Sequence, residues 1–227
     1  MNFEPLQITA FLANGIAVYD DWSPQLESLV IGEIIQQERL AVPNASAEQV
    51  KETMAAIAPL IPFEQWEGLY KCSAPVYRYK CEETTKFRKR WEPNGQVNWG
   101  KRKPKFSTSE GGEKSYDLPL FLRLTSRIDW FAVGDRQAIE NIVSDISGIG
   151  KKRSHGYGQI VRWEVTAIAE DWSLVRDGEL MKPIPTEGLT MLGLSLSHNI
   201  VRWGYKPPAW LPENKLLCVM PEVVRQC

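Results

Sequence analysis

Between residues 148 and 158 the chain reads Gly148-Ile149-Gly150-Lys151-Lys152-Arg153-Ser154-His155-Gly156-Tyr157-Gly158, with four glycines in eleven residues. Before it, Ala138, Ile139, Ile142, Val143 and Ile146 recur at helical spacing. After it, residues 159–169 alternate as a strand does. A helix must therefore hand over to a strand within a few residues, and glycine supplies the positive φ that such a turn uses. The same glycines let a phosphodiester backbone approach closely, while Lys151, Lys152 and Arg153 add cationic donors. Tyr157 can stack on a base or seal the core beneath the loop. No G-x-x-x-x-G-K-[ST] frame fits the run, so it is not a Walker loop. Nor is it a Rossmann fingerprint, because Arg153 stands where the third glycine belongs and the run follows a helix rather than a strand. A tight turn with solvated charges accounts for the same residues without a ligand.

The second constraint is a charge asymmetry. The chain carries 27 basic and 28 acidic side chains, a formal net charge of −1. Residues 71–106 alone hold eleven basic and three acidic residues. That segment is +8 and the rest of the chain −9. A basic block in an otherwise acidic protein points to a polyanion partner. Within it, Lys86, Arg88, Lys89, Arg90, Lys101, Arg102 and Lys103 interleave with Trp91, Trp99 and Phe106. Cations neutralise phosphates, and indole faces accept unstacked bases at about 1–3 kcal/mol each. A solvated charged loop is the bland alternative, although it leaves two tryptophans exposed.

The remaining pattern gives a fold plan. Residues 5–18 begin as a strand, and Asp20, Asp21, Ser23 and Pro24 suit a helix start before Leu26, Leu29, Val30, Ile34 and Ile35. A second helix is expected over 46–58, capped by Ser46 and ended by Pro59 and Pro62. Residues 69–81 read as a strand, with Pro75 marking an edge or a bulge. Hydrophobic pattern is then lost through about 82–117, read as an inserted hairpin or arm. Residues 118–133 are strongly strand-like, and Asp135 is a candidate cap for the next helix. With the arm and the extra helix set aside, the order is β-α-β-β-α-β. The expected class is α+β, a ferredoxin-like core over 1–169 with an irregular extension over 170–227 containing short strand-like pieces. At 227 residues, 43% of them hydrophobic, the chain can bury a core without disulfide staples. No run of about 18 apolar residues occurs, and the start of the chain lacks the charge and apolar pattern of a secretory signal. A cytoplasmic location without a membrane partner is the expectation.

Metal and catalytic signals are weak. Cys72 and Cys81, like Cys218 and Cys227, are separated by eight residues, too many for the usual paired zinc ligands, so no metal is expected. The chain has two histidines, His155 inside the glycine loop and His198 near the C-terminus. RNA cleavage without a metal needs a base near the 2′-hydroxyl and an acid near the leaving oxygen. Tyr77, Tyr79, Lys80 and His155 are the residues from which such a set would be drawn, although no spacing demands it. Three readings stay open: an RNA-binding subunit, an endoribonuclease acting on repeat RNA, and an enzyme using the loop as a nest for a small phosphate ligand.

At the loop, GIGKKRSHGYG, the sequence resembles the RAMP superfamily, whose members assemble on and process CRISPR RNA. The first strand and helix, QITAFLANGIAVYDDWSPQLESLV, look similar to the start of those proteins. SYDLPLFLRLTSRIDWFAVGD and the helix after it resemble the small RAMP subunit of type IV CRISPR effector complexes. The resemblance implies a noncatalytic ribonucleoprotein component in antiviral defence, with no cofactor, capping the 5′ handle of the guide RNA (crRNA). It implies backbone RAMP subunits and other subunits of the complex as partners, with target DNA and a helicase reached through that complex. It also implies that the basic arm is a thumb folding over the RNA. The expected RNA-binding residues are Gly148, Gly150, Lys151, Lys152, Arg153, Ser154, His155, Gly156 and Tyr157 of the loop, with Arg78 and the cations and tryptophans of the arm, Lys86 to Trp91, Trp99 and Lys101 to Lys103.

Overall fold

The computed structural model describes residues 2–40, 46–89, 115–194 and 199–222. Arg90, Trp91, Trp99, Lys101, Arg102, Lys103, His198 and Cys227 lie outside these residues.

The α+β expectation holds. Four long strands form the main sheet: β1 (Phe3–Leu12), β5 (Val76–Lys89), β6 (Tyr116–Asp135) and β7 (Ile160–Ala167). Their spatial order is β5-β6-β1-β7, and every neighbouring pair is antiparallel. Two helices, α1 (Leu26–Gln37) and α2 (Ala47–Ile57), precede β5, and α3 (Arg136–Ser144) lies between β6 and β7. Leu6, Ile8 and Ala10 of β1 and Ile128 and Trp130 of β6 are fully buried. They share one core with Leu26, Val30 and Ile34 of α1 and Ile139 and Val143 of α3. Alternation along the strands puts Thr9 and Asp129 on the opposite face. There the Thr9 hydroxyl donates to the Asp129 carboxylate at 2.6 Å.

Helix starts follow local chemistry. Ser46 and Gln49 form a reciprocal capping box at α2, and the Asp135 carboxylate accepts from the Ala138 amide at 3.0 Å to open α3. The start of α1 differs from the sequence expectation. Asp20 accepts instead from Trp22 N and Ser23 Oγ within its own turn, and α1 begins after Gln25 with no side-chain cap.

The first strand is interrupted. β1 shifts register between Phe11 and Leu12, and β2 (Ile16–Val18) resumes along β6 opposite Arg123 to Phe121. The expected strand over 69–81 is also divided. Gln65–Trp66 (β3) and Leu69–Tyr70 (β4) make a small hairpin, and the long strand begins only at Val76, just after Pro75. Register shifts flank Tyr79 in that strand, and it pairs with β6 alone, so it is both bulged and at an edge. The base of the arm is no loop. Thr85 to Lys89 pair with Leu120 to Tyr116, so β5 and β6 run on as a two-stranded ribbon.

The C-terminal third, expected to be irregular, gathers its short pieces into order. β8 (Val175–Arg176) and β9 (Glu179–Leu180) form a hairpin. β10 (Ile184–Pro185), β12 (Lys215–Val219) and β11 (Ile200–Gly204) form a three-stranded antiparallel sheet. Leu174, Ile184, Leu189 and Val219 bury together with Leu69 of β4. Lys182 reaches Glu27 of α1 as a fully buried ion pair, and Trp22 donates to the Pro221 carbonyl at 3.1 Å. Among the described residues no helix is long and apolar enough to cross a membrane.

Candidate nucleic-acid interface

The glycine loop takes the place beside β2 that β7 takes beside β1. Lys151 N–H donates to the Ala17 carbonyl at 2.9 Å, Gly158 N–H to Gly15 at 2.9 Å, and Ala13 N–H to Gln159 at 3.0 Å. Asn14 donates its side-chain amide to the Gly156 carbonyl. Two of the four glycines are demanded by close approach, Gly150 by this docking and Gly158 by the loop's own Ile149 carbonyl. Gly150 has φ +80°, and a Cβ there would lie 2.6 Å from Ile16 Cγ1 and 2.7 Å from the Ala17 carbonyl. Gly158 has φ +66°, and its Cβ would lie 1.9 Å from the Ile149 carbonyl. A Cβ on Gly156 would meet nothing closer than Asn14 Nδ2 at 3.9 Å, although its φ of +87° still favours glycine.

The loop's side chains divide between cover and exposure. Tyr157 is half-buried against Ala17, Leu120 and Leu122, sealing the sheet where β2 meets β6. Lys151, Arg153, Ser154 and His155 are exposed. Lys152 adopts the left-handed conformation at φ +56°, which opens the short 3-10 turn Arg153–His155. Its ammonium then lies 3.2 Å from the centre of the Phe87 ring. His155 meets the same ring edge-on at 5.3 Å, and Phe87 stacks on Tyr116 across the ribbon at 5.5 Å. The loop is thus docked on the base of the basic ribbon. Lys86 and Arg88 flank Phe87 and are exposed, while Lys89 is half-buried. Arg88 pairs with Asp117 at 3.1 Å. Such a surface offers phosphate-binding cations, while the Phe87 ring itself is taken up by Lys152, His155 and Tyr116.

Arg78 is placed elsewhere. It sits nine residues before Phe87 on one strand, roughly 30 Å away at the usual rise per residue. There it approaches the buried carboxylate of Asp129 at 3.7 Å, which also holds Arg127 at 2.8 Å. Tyr77 likewise lies ten residues before Phe87 on the same strand. Its hydroxyl donates to the Ser23 carbonyl, and burial, then the nearby Asp20 charge, push its pKa well above the ordinary value. Tyr77 and His155 therefore do not share a site. Cys72 and Cys218 are buried free thiols, Cys218 raised by burial to about 11, and Cys81 is exposed. Among the described residues no group of three or more His, Cys, Asp or Glu is placed to hold a metal ion.

Sequence reasoning missed Phe87, Tyr116 and Asn14. The first two carry a signal in hindsight, since Phe87 alternates with Lys86 and Arg88 as a strand residue facing away from them. Asn14 carries none.

The chain resembles known proteins in two ways. The family model described as "CRISPR type IV associated protein Csf3" matches residues 64–187. Among solved structures, a chain of "Cryo-EM structure of the Type III-B Cmr-beta bound to cognate target RNA" aligns at 11% identity and a TM-score of 0.37, over 74% of this chain. The alignment spans 62% of the length of that chain. No curated protein matches.

Proposed function

The chain belongs to the Csf3 family of CRISPR type IV associated proteins, and from that premise we propose that it is a noncatalytic RNA-binding subunit of a multisubunit type IV-like interference complex. In this reading it holds the 5′ handle of the guide RNA and contacts the adjacent backbone RAMP subunit. Target DNA and a helicase belong to the complex rather than to this chain, which works in the cytoplasm. Residues 1–169 act as a ferredoxin-like core with an inserted thumb, and 170–227 as an extension packed on it. The strand order β5-β6-β1-β7 supports the ferredoxin-like plan, because it is the 2-3-1-4 order of a β-α-β-β-α-β unit.

One observation carries the proposal: the Lys152 and His155 contacts with Phe87, which make the glycine loop and the basic ribbon one surface. A strand lying along the loop meets Lys151 and Arg153, and it must cross the edge of the ribbon to reach Lys86 and Arg88, which project from the face opposite Phe87. A scaffold role fits the separation of Tyr77 from His155, which keeps those two from acting as an acid–base pair. The test is fluorescence anisotropy of a labelled guide RNA with the full chain and with the Lys151→Ala/Lys152→Ala/Arg153→Ala variant. A loss of affinity of tenfold or more is expected, and unchanged affinity rejects the assignment of the loop.

A further inference from the structure

The face of the main sheet that carries Thr9 and Asp129, away from α1 and α3, also carries a row of arginines outside the loop and the ribbon. Phe11 of β1 is in register with Arg127 of β6 on one side and with Arg162 of β7 on the other. Arg78 of β5 follows Tyr77, whose partner is Ile128, so it comes beside Arg127. Their neighbours Ala10, Ile128, Trp163 and Tyr77 all turn into the helix-side core, and alternation therefore turns the row outward. Arg162, Phe11, Arg127 and Arg78 cross all four strands, a span of about 14 Å at the usual strand spacing.

The row is built rather than scattered. The buried Asp129 carboxylate, which accepts from the Thr9 hydroxyl and from Gln7 Nε2 at 3.1 Å, takes Arg127 through Nε at 2.8 Å and lies 3.7 Å from Arg78 Nε. One carboxylate thus orients two guanidiniums. Each meets it through Nε, and their terminal nitrogens have no hydrogen-bond partner among the described residues. The third guanidinium, of Arg162, lies 3.5 Å from the centre of the Phe11 ring and pairs with Glu164 at 2.8 Å. Arg127 approaches the same ring at 5.8 Å. The side chains of Arg78 and Arg162 are 53% and 55% exposed. Like charges on neighbouring strands repel, so three guanidiniums in one row against two carboxylates make a strip that an anion stabilises.

We propose that this row is a second RNA contact, in which the terminal nitrogens of Arg78 and Arg127 clamp a backbone phosphate and the Arg162 plane, backed by Phe11, takes one unstacked base. Arginine forks match phosphate oxygens in pairs, and guanidinium planes stack on bases. The row begins beside the glycine loop. Gly158 stands four residues before Arg162, and its N–H is held by the carbonyl of Gly15, four residues after Phe11. The inference rests on the RNA-binding reading for its strand, which continues from the loop onto the sheet.

The test is fluorescence anisotropy of the full chain with two labelled RNAs, the 5′ handle alone and the handle extended into the guide. The parent should bind the extended RNA more tightly. Arg78→Ala/Arg162→Ala changes two exposed residues and keeps Arg127 on Asp129. It should weaken binding of the extended RNA roughly three- to tenfold, with a flatter salt dependence, and leave the handle unaffected. Arg162→Ala alone is the second variant should the double variant melt early. The loop variant Lys151→Ala/Lys152→Ala/Arg153→Ala should instead lose affinity for both RNAs. Extended RNA that the parent binds no better than the handle, or that the row variants bind as the parent does, overturns the clamp while leaving the loop reading in place. Row variants that bind both RNAs normally yet drop out of the assembled complex assign the row to an acidic protein surface and contradict the proposal. Absence of binding to either RNA by the parent chain rejects the RNA-binding reading itself and the clamp with it.

Discussion

Lys152 holds its ammonium 3.2 Å from the centre of the Phe87 ring, joining a loop after α3 to a strand that begins sixty residues before that helix. The contact depends on the left-handed backbone of Lys152 and on the extension of β5 beyond the main sheet. Phe87→Ala removes the ring that orients Lys152 and His155. Cation–π contacts of this kind are worth about 0.5–1 kcal/mol at exposed sites, so RNA affinity should fall roughly two- to sixfold in an anisotropy titration. An unaltered titration means the ring does not position the loop for binding.

Salt dependence separates the roles of the cations. Each phosphate contact on a single strand contributes about −0.7 to the slope of log affinity against log salt. Lys152→Ala and Lys86→Ala should each flatten the slope by about that amount, whereas Phe87→Ala should leave it in place.

The glycines of the loop are not equivalent. Gly158→Ala places a Cβ against the Ile149 carbonyl and should lower the melting temperature most, followed by Gly150→Ala against Ile16. Gly156→Ala meets only the cost of a left-handed residue, about 1–2 kcal/mol. Gly148 makes ordinary contacts at 3.5 Å and needs no positive φ, so Gly148→Ala should stay within about 0.5 kcal/mol of the parent. Thermal melts of the four variants give the ranking directly.

The buried Glu27–Lys182 pair ties the C-terminal extension to α1. Removing one partner strands a charge in the interior, so Lys182→Met should cost about 3–5 kcal/mol. Glu27→Leu combined with Lys182→Met should recover most of that loss in a denaturant melt. Additive destabilisation of the double variant contradicts the pairing.

Acid titration reports on Asp171. Burial pulls its pKa upward, but hydrogen bonds from Ser173 and the Lys71 ammonium outweigh it and hold the carboxyl below the usual range. A lowered pKa stabilises the fold above the unfolded value, near 3.9, and that contribution is lost as pH falls through the folded value. Asp171→Asn should therefore lower the melting temperature at pH 7, and the difference from the parent should shrink steadily as the pH is taken below the unfolded value.

Much of the core was legible because its signals are local. Ser46 with Gln49 and Asp135 before Ala138 announce their helices within four residues, and the apolar run of β6 is unmistakable. The start of α1 misled, because Asp20 and Ser23 satisfy a turn of their own. The small C-terminal sheet was hidden in strands of two to five residues, too short for a period to emerge. At the candidate site, the loop's composition was plain, but its docking on Phe87 was not. That contact joins residues 65 positions apart, and no local pattern encodes it.

The most direct test is photocrosslinking of the assembled complex with its guide RNA, read by mass spectrometry. The account predicts crosslinks from the guide to the glycine loop at His155 or Tyr157 and to the ribbon at Phe87. Crosslinks confined to other surfaces, with both segments left unmodified, would contradict it.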